Sequence, residues 1–119
     1  MRKHLIGAAI LASLAFATPA HAEDSAKETL AAIDGQNQGI SKLMTLIMAK
    51  TGNGIEWANT RVVSEGGKAL FCMPEKLGLT ASQITEMLRS YVEEHPSVAD
   101  LPAGLILVSA YIETFPCPK

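Results

Sequence analysis

Few side chains in this 119-residue sequence could act as a nucleophile, a base or a metal ligand. Two of its three histidines lie within the first 21 residues, so His95 alone could serve a Ser–His or Cys–His mechanism. His95 precedes Pro96 at a predicted helix end, where a positive imidazolium suits the helix dipole. Glu93 and Glu94 are adjacent, so on a helix their side chains point about 100° apart and do not form an acid–base pair. We therefore predict no catalytic residue and no enzyme.

Binding sites for metals and cofactors are not indicated either. A zinc site needs three or four suitable ligands, and one histidine with two oxidised cysteines does not supply them. The segment Gly52-Asn53-Gly54 lacks the Lys-Ser/Thr pair and the strand–helix context of a phosphate-binding loop. We predict no metal and no cofactor, which leaves a binding or structural role.

The amino terminus has the three parts of a secretory signal peptide in order. A basic start, MRKH, is followed by an apolar run from Leu5 to Ala17 and by the small residues of Ala20-His21-Ala22. We predict a signal peptide over residues 1–22, with cleavage after Ala22. An uncleaved membrane anchor is the alternative, although a run of about 13 residues is short for a span of ~20. The brevity of the signal favours a bacterial periplasm.

The remaining residues, 23–119, are enough for one domain with a limited core. The chain has ten basic and twelve acidic residues, and losing Arg2 and Lys3 with the signal brings the net charge to about −4. That charge argues against nucleic acid or an anionic membrane as the main partner. In an oxidising compartment the only two cysteines, Cys72 and Cys117, predict one disulfide. Two free buried thiols are the alternative.

Caps and hydrophobic spacing predict helices in the first half of this domain. The Ser-x-x-Glu spacing of residues 25–28 forms a capping box that begins a helix. Gly35 either breaks that helix or marks a close approach by another helix. Residues 51–54 are predicted to form a turn that stops a helix, and residues 55–64 a second short helix.

Two later helices carry clear apolar stripes. The helix after the capping box of residues 80–83 has a stripe at every third or fourth position and stops at His95-Pro96. The last helix begins with Asp100 as the N-cap and Pro102 in its first turn. Its apolar seam has the 4-3-4-3 spacing of helices that pack on other helices and consists of Leu101, Leu105, Val108, Ile112 and Phe115. The predicted fold class is all-α, a small single-domain bundle of four to five helices with one disulfide.

Large apolar side chains admit two roles. Met44, Met48 and Met87 fall on apolar helix faces and are predicted to be core residues. Trp57 fits either the core or a binding anchor, and the sequence does not separate the two.

Short motifs in the second half of the chain resemble the Rap/Tai family, periplasmic immunity proteins that neutralise peptidoglycan amidases delivered by type VI secretion. Each motif is weak alone, and the resemblance rests on their order and spacing. They are Phe71-Cys72-Met73-Pro74, Leu79-Thr80-x-x-Gln83, Tyr91-Val92-x-x-His95-Pro96, Pro102-Ala103 and Phe115-Pro116-Cys117-Pro118.

This resemblance implies a helical fold for residues 23–119, with a disulfide between Cys72 and Cys117. It also implies a homodimer that blocks the catalytic groove of a cell-wall amidase effector. The matched motifs consist of caps, helix ends and the bridge, and they include no residue that contacts the effector.

Two functions of different classes remain for a protein without catalytic groups. One is a periplasmic inhibitor that occludes the amidase through exposed loops, for which the candidate partner-binding residues are Glu65, Lys68, Glu93, Glu94 and Asp100. The other is a periplasmic chaperone of the acid-stress type, which would expose apolar surface when its carboxylates are protonated. The ordered motifs favour the inhibitor.

The signal peptide gives the first testable prediction. Mass spectrometry of the protein from the periplasmic fraction should identify Glu23 as the first residue, because signal peptidase cuts after a small-x-small site. An intact Met1 in the membrane fraction would show that the segment is an anchor.

Overall fold

The structure is a computed structural model that describes residues 24–119, so the predicted signal peptide and its cleavage site lie outside the described residues. This part of the chain forms four α-helices and no strand. The helices are α1 (Ala26–Asp34), α2 (Gln38–Ser64), α3 (Ala81–Glu94) and α4 (Ala103–Thr114), with a short 3-10 helix at Pro96–Val98 between the last two. The predicted all-α bundle with one disulfide is confirmed.

The predicted helix starts at the two capping boxes are also confirmed. The Ser25 and Thr80 side chains each accept a hydrogen bond from the backbone N–H three residues later. The side chains of Glu28 and Gln83 bond back to the capping residues, which satisfies N–H groups that a helix start leaves free. Gly35 follows the last residue of α1, so the predicted break at this glycine is correct.

The predicted turn at residues 51–54 is wrong, because these residues lie inside the 27-residue helix α2. Gly52 is buried at the point where α2 meets α3 and α4. A Cβ at Gly52 would lie 2.8 Å from the Tyr111 hydroxyl and 2.9 Å from Cδ1 of Ile84. The glycine therefore serves the close approach of helices and not a turn, and packing offsets its low helix propensity.

The core surrounds α4, but the other helices cover a face of α4 that differs from the predicted seam. Its buried residues are Ala103, Ile106, Leu107, Ala110 and Tyr111. The seam residues Leu101, Leu105 and Ile112 are instead exposed, on the opposite side of the helix. Because α4 is apolar on every side, spacing alone could not show which face the other helices cover.

The start of α4 differs from the prediction as well. Pro102 and not Asp100 precedes the first residue of the helix, and no side chain caps it. The Ala103 N–H donates to the Asp24 carbonyl, so the amino-terminal segment supplies the partner that a cap would give.

The segment between α2 and α3 is held against the helices at Phe71. Both ends of the Asn59 side-chain amide bond this segment, one to the Leu70 N–H and one to the Phe71 carbonyl. The Phe71 ring is buried and lies 4.9 Å from the Tyr111 ring, measured between centroids. The adjacent Cys72 forms the predicted disulfide with Cys117, and closing a loop of 45 residues stabilises the fold by roughly 4 kcal/mol.

Two glycines on α2 provide a matched test of this packing. Gly52→Val should lower the free energy of unfolding by about 1–3 kcal/mol, because the new side chain would collide with Ile84 and Tyr111. Gly54→Ala should raise it by about 0.5–1 kcal/mol, because Gly54 is exposed, nothing lies near its Cβ position and alanine favours the helix.

Denaturant unfolding of both variants measures the two free energies. If residues 51–54 formed a turn, Gly54→Ala would destabilise the protein and Gly52→Val would have little effect.

Candidate partner-binding surfaces

Helix α2 exposes a row of large apolar side chains on the side opposite its buried residues Met48 and Gly52. The helix repeat places these exposed residues on one side of α2; they are Leu43, Leu46, Ile47 and Trp57. We name this set the α2 outer face. Trp57 is 73% exposed, so it is not a core residue, and its other possible role, as a binding anchor, stays a prediction.

The charges near the α2 outer face are mostly basic. Lys50 and Arg61 are exposed, and the helix repeat places them on the same side as Trp57. Arg61 pairs with Glu65 at the end of the helix, where both side chains are largely exposed. Glu56 is turned toward the core and accepts a 2.7 Å hydrogen bond from the Tyr111 hydroxyl. Burial, aided by this carboxylate, raises the pKa of Tyr111 well above its ordinary value, so the phenol stays a donor.

Helix α4 has a second exposed apolar surface, on the side away from the core. We name it the α4 outer face; it consists of Leu101, Leu105, the half-buried Val108 and Ile112. The sequence has no charged residue from position 101 to position 112. The residues of the predicted seam therefore share one side of the last helix, but α1–α3 leave most of them uncovered, so the predicted packing on other helices is wrong.

A groove of about 390 Å³ lies between α3 and the carboxyl-terminal end of α4. Apolar and polar side chains both contribute to it. They are Leu79, Gln83, Glu86, Met87, Ser90, Tyr91 and Glu94 on one side, and Ala110, Glu113, Thr114 and Phe115 on the other.

An acidic cluster with one histidine lies at one end of this groove. The Nε2 atom of His95 lies 3.0 Å from Oε2 of Glu113, and the His95 ring lies 4.3 Å from the Tyr91 ring, measured between centroids. One ligand atom each from Glu94, His95 and Glu113 lies within 4.8 Å of the others. The hydrogen bond with His95 is the main cause that lowers the pKa of the Glu113 carboxyl, and the neighbouring Glu94 acts in the same direction.

This cluster contains potential metal ligands that the sequence prediction of no metal site did not count. That prediction counted one histidine and two cysteines, and it did not consider carboxylates. Glu113 lies 18 residues after His95, and only the packing of α3 on α4 brings them together. The groups are of types that zinc accepts, but they lie at the surface and His95 already bonds to Glu113.

The five residues predicted to bind a partner are all exposed but occupy different places. Glu65 and Lys68 follow α2, and Glu65 forms the ion pair with Arg61. Glu93 and Glu94 end α3, and Asp100 lies in the turn before α4. Of the five, only Glu94 lines the groove. Their contact with a partner stays a prediction.

Sequence reasoning missed the two apolar outer faces as candidate surfaces. It assigned the residues of the α4 outer face to a seam that packs on other helices, since a stripe that faces a partner and a stripe that faces the core have the same spacing. On α2 it named only Trp57 as a possible binding anchor. The unbroken uncharged stretch at positions 101–112 was the available signal, because a helix that is apolar all round requires cover on more than one side.

Fold and surfaces together define a small, disulfide-bonded helical protein that presents apolar faces to solvent. Among the described residues, no helix is both long enough and apolar enough to cross a membrane. A family model described as Rap1a immunity proteins matches residues 22–117, and the chain belongs to this family. The predicted Rap/Tai resemblance is thereby confirmed. No curated protein and no solved structure matches the chain.

Family membership indicates the class of function. Immunity proteins of this type act against type VI effectors, which implies binding of a secreted effector protein, and they are generally not enzymes. The Cys72–Cys117 disulfide fits a location outside the cytoplasm.

Proposed function

We propose that this protein is a periplasmic immunity protein that binds a type VI secreted peptidoglycan amidase and blocks its catalytic groove. The family match and the resemblance of the second-half motifs to amidase immunity proteins support this function. The match begins at residue 22, next to the predicted cleavage site, which supports a signal peptide at 1–22 and an immunity domain at 23–119.

The α2 outer face is the observation that carries the proposal. Trp57 is the most exposed of its four apolar side chains, and tryptophan is among the residues that most often dominate binding energy at interfaces. A 27-residue helix is about 40 Å long, which is sufficient for one side of an interface burying about 800 Å² per partner. We assign Glu65 and Lys68, which follow the helix, to the polar rim of this interface.

The internal constraints of the fold suit an inhibitor that acts by occlusion. The disulfide and the Asn59 hydrogen bonds hold the segment after α2 against the helices. A surface that is rigid before binding loses less conformational entropy when the effector docks, so more of the contact energy remains as affinity.

The matching test uses a secreted amidase, chosen from the genes beside this one if they encode such an effector. The purified protein should inhibit hydrolysis of peptidoglycan at a one-to-one ratio of binding sites. Trp57→Ala should raise the dissociation constant at least tenfold, a loss of about 1.4 kcal/mol of binding free energy. The midpoint of thermal unfolding should stay nearly unchanged because the indole is exposed.

Leu77→Ala is the control, since Leu77 is an exposed apolar residue of the segment between α2 and α3. Equal affinity of the Trp57→Ala variant would contradict the assignment of the α2 outer face. Absence of any amidase inhibition, with capture of many unrelated clients at low pH, would favour the acid-stress chaperone.

We propose further that the protein forms a homodimer through the α4 outer face. The seam has no charge between positions 101 and 112, so two copies can meet across a two-fold axis without burying an unpaired charge. Residues spaced by four and three positions on one helix fit between those of the second copy.

Light scattering coupled to size-exclusion chromatography tests the dimer. The wild type should have twice the mass of one chain, and Leu105→Glu should give a folded monomer because Leu105 is 55% exposed and a buried glutamate would be costly. Leu46→Glu on the α2 outer face is the control and should stay dimeric. A monomeric wild type would rule out this interface.

A further inference from the structure

The groove between α3 and α4 combines apolar lining with carboxylates. Its apolar side chains include Met87, Tyr91 and Phe115, and its carboxylates belong to Glu86, Glu94 and Glu113. No lysine or arginine is among the described residues that line it. Its volume of about 390 Å³ lies within the range of small ligand sites, roughly 300–1,000 Å³.

The carboxylates of the groove differ in how well they are neutralised. Glu86 accepts a hydrogen bond from Nε of Arg89, whose other nitrogens bond both carboxylate oxygens of Asp34. Glu94 and Glu113 lie together at the His95 imidazole, with no lysine or arginine among the described residues that line the groove. The lowered pKa of Glu113 keeps its carboxylate charged at neutral pH. This end of the groove therefore carries more negative charge than the groups around it cancel.

We propose that this groove receives one arginine side chain of the effector, flanked by apolar residues. The proposal rests on the proposed function only for the identity of the partner. A guanidinium has five N–H donors in a planar fork, and the Glu94 and Glu113 carboxylates and the Ser90 hydroxyl are acceptors on this groove.

The apolar lining distinguishes this occupant from a small cation. The methylene stem of arginine packs on apolar side chains while its charged head contacts polar groups, and a guanidinium stacks on aromatic rings such as that of Tyr91. A hydrated metal ion would bind the carboxylates and the imidazole but would leave Met87 and Phe115 uncovered. Charge complementarity and lining together therefore favour arginine.

A terminally blocked Leu-Arg-Leu peptide is a suitable probe because it does not require the effector. Titrated into the oxidised, ¹⁵N-labelled protein, it should shift the backbone amide resonances of Ser90, Tyr91, Glu94 and Thr114. The matched Leu-citrulline-Leu peptide has the same shape without charge and should bind at least tenfold more weakly. Raising the ionic strength to about 0.3 M should weaken binding of the arginine peptide and leave binding of the citrulline peptide unchanged.

Two variants localise the binding. Glu94→Gln and Glu113→Gln should each weaken binding of the arginine peptide several-fold. The rest of the amide spectrum should show that the fold is intact. Glu65→Gln is the control, because Glu65 is an exposed glutamate that also pairs with a basic side chain, but away from the groove. Equal binding of the two peptides, or shifts confined to α2, would overturn the proposal. So would shifts of the groove resonances by Zn²⁺ but not by the arginine peptide.

The groove and the proposed function can fail separately. Trp57→Ala should leave peptide binding unchanged, since Trp57 does not line the groove. Peptide binding without amidase inhibition would sustain the groove and reject the immunity function. If the protein inhibits the amidase but does not bind the peptide, and Glu94→Gln and Glu113→Gln leave inhibition intact, the immunity function is sustained and the groove proposal is rejected.

Discussion

The close contact of three helices at Gly52 is the constraint on which the other packing depends. With only a hydrogen at this position, Ile84 of α3 and Tyr111 of α4 approach the α2 backbone directly. Tyr111 can then be fully buried and still donate its hydroxyl hydrogen to Glu56, which lies one turn further along α2. Phe71 packs on the same tyrosine, and the disulfide begins at the next residue. The small volume of Gly52 therefore allows α2, the Phe71 segment and the disulfide to pack around Tyr111.

Local signals in the sequence predicted those parts of the fold that local interactions determine. The capping boxes at Ser25 and Thr80 join residues three positions apart, and the buried Ile84 and Leu88 follow the helix repeat. The turn predicted at Gly52 failed because glycine has two uses, a flexible backbone and a small volume. Only the position of Ile84 and Tyr111, far along the chain, decides which use applies.

The candidate surfaces show the same division between local and distant information. Glu93 and Glu94 were identifiable as exposed because they end an amphipathic helix. The meeting of His95 with Glu113 was not, because it depends on how α3 crosses α4. On α4 the spacing of Leu105 and Ile112 predicted packing on other helices of the chain, but both side chains are exposed, because the same spacing fits a face covered by the chain and a face left to solvent.

The three surfaces differ in charge, and this difference constrains how copies of the protein can associate. The α2 outer face is apolar with basic neighbours, the groove is acidic, and the α4 outer face is uncharged. Contact between the α2 outer face of one copy and the groove of the next would be head-to-tail and could extend into an open chain. The proposed α4 contact uses the same patch on both copies, so it closes after two. Trp57 and Glu94 do not belong to the α4 outer face, so a dimer of this kind would leave the two proposed effector-binding surfaces outside its contact residues in both copies.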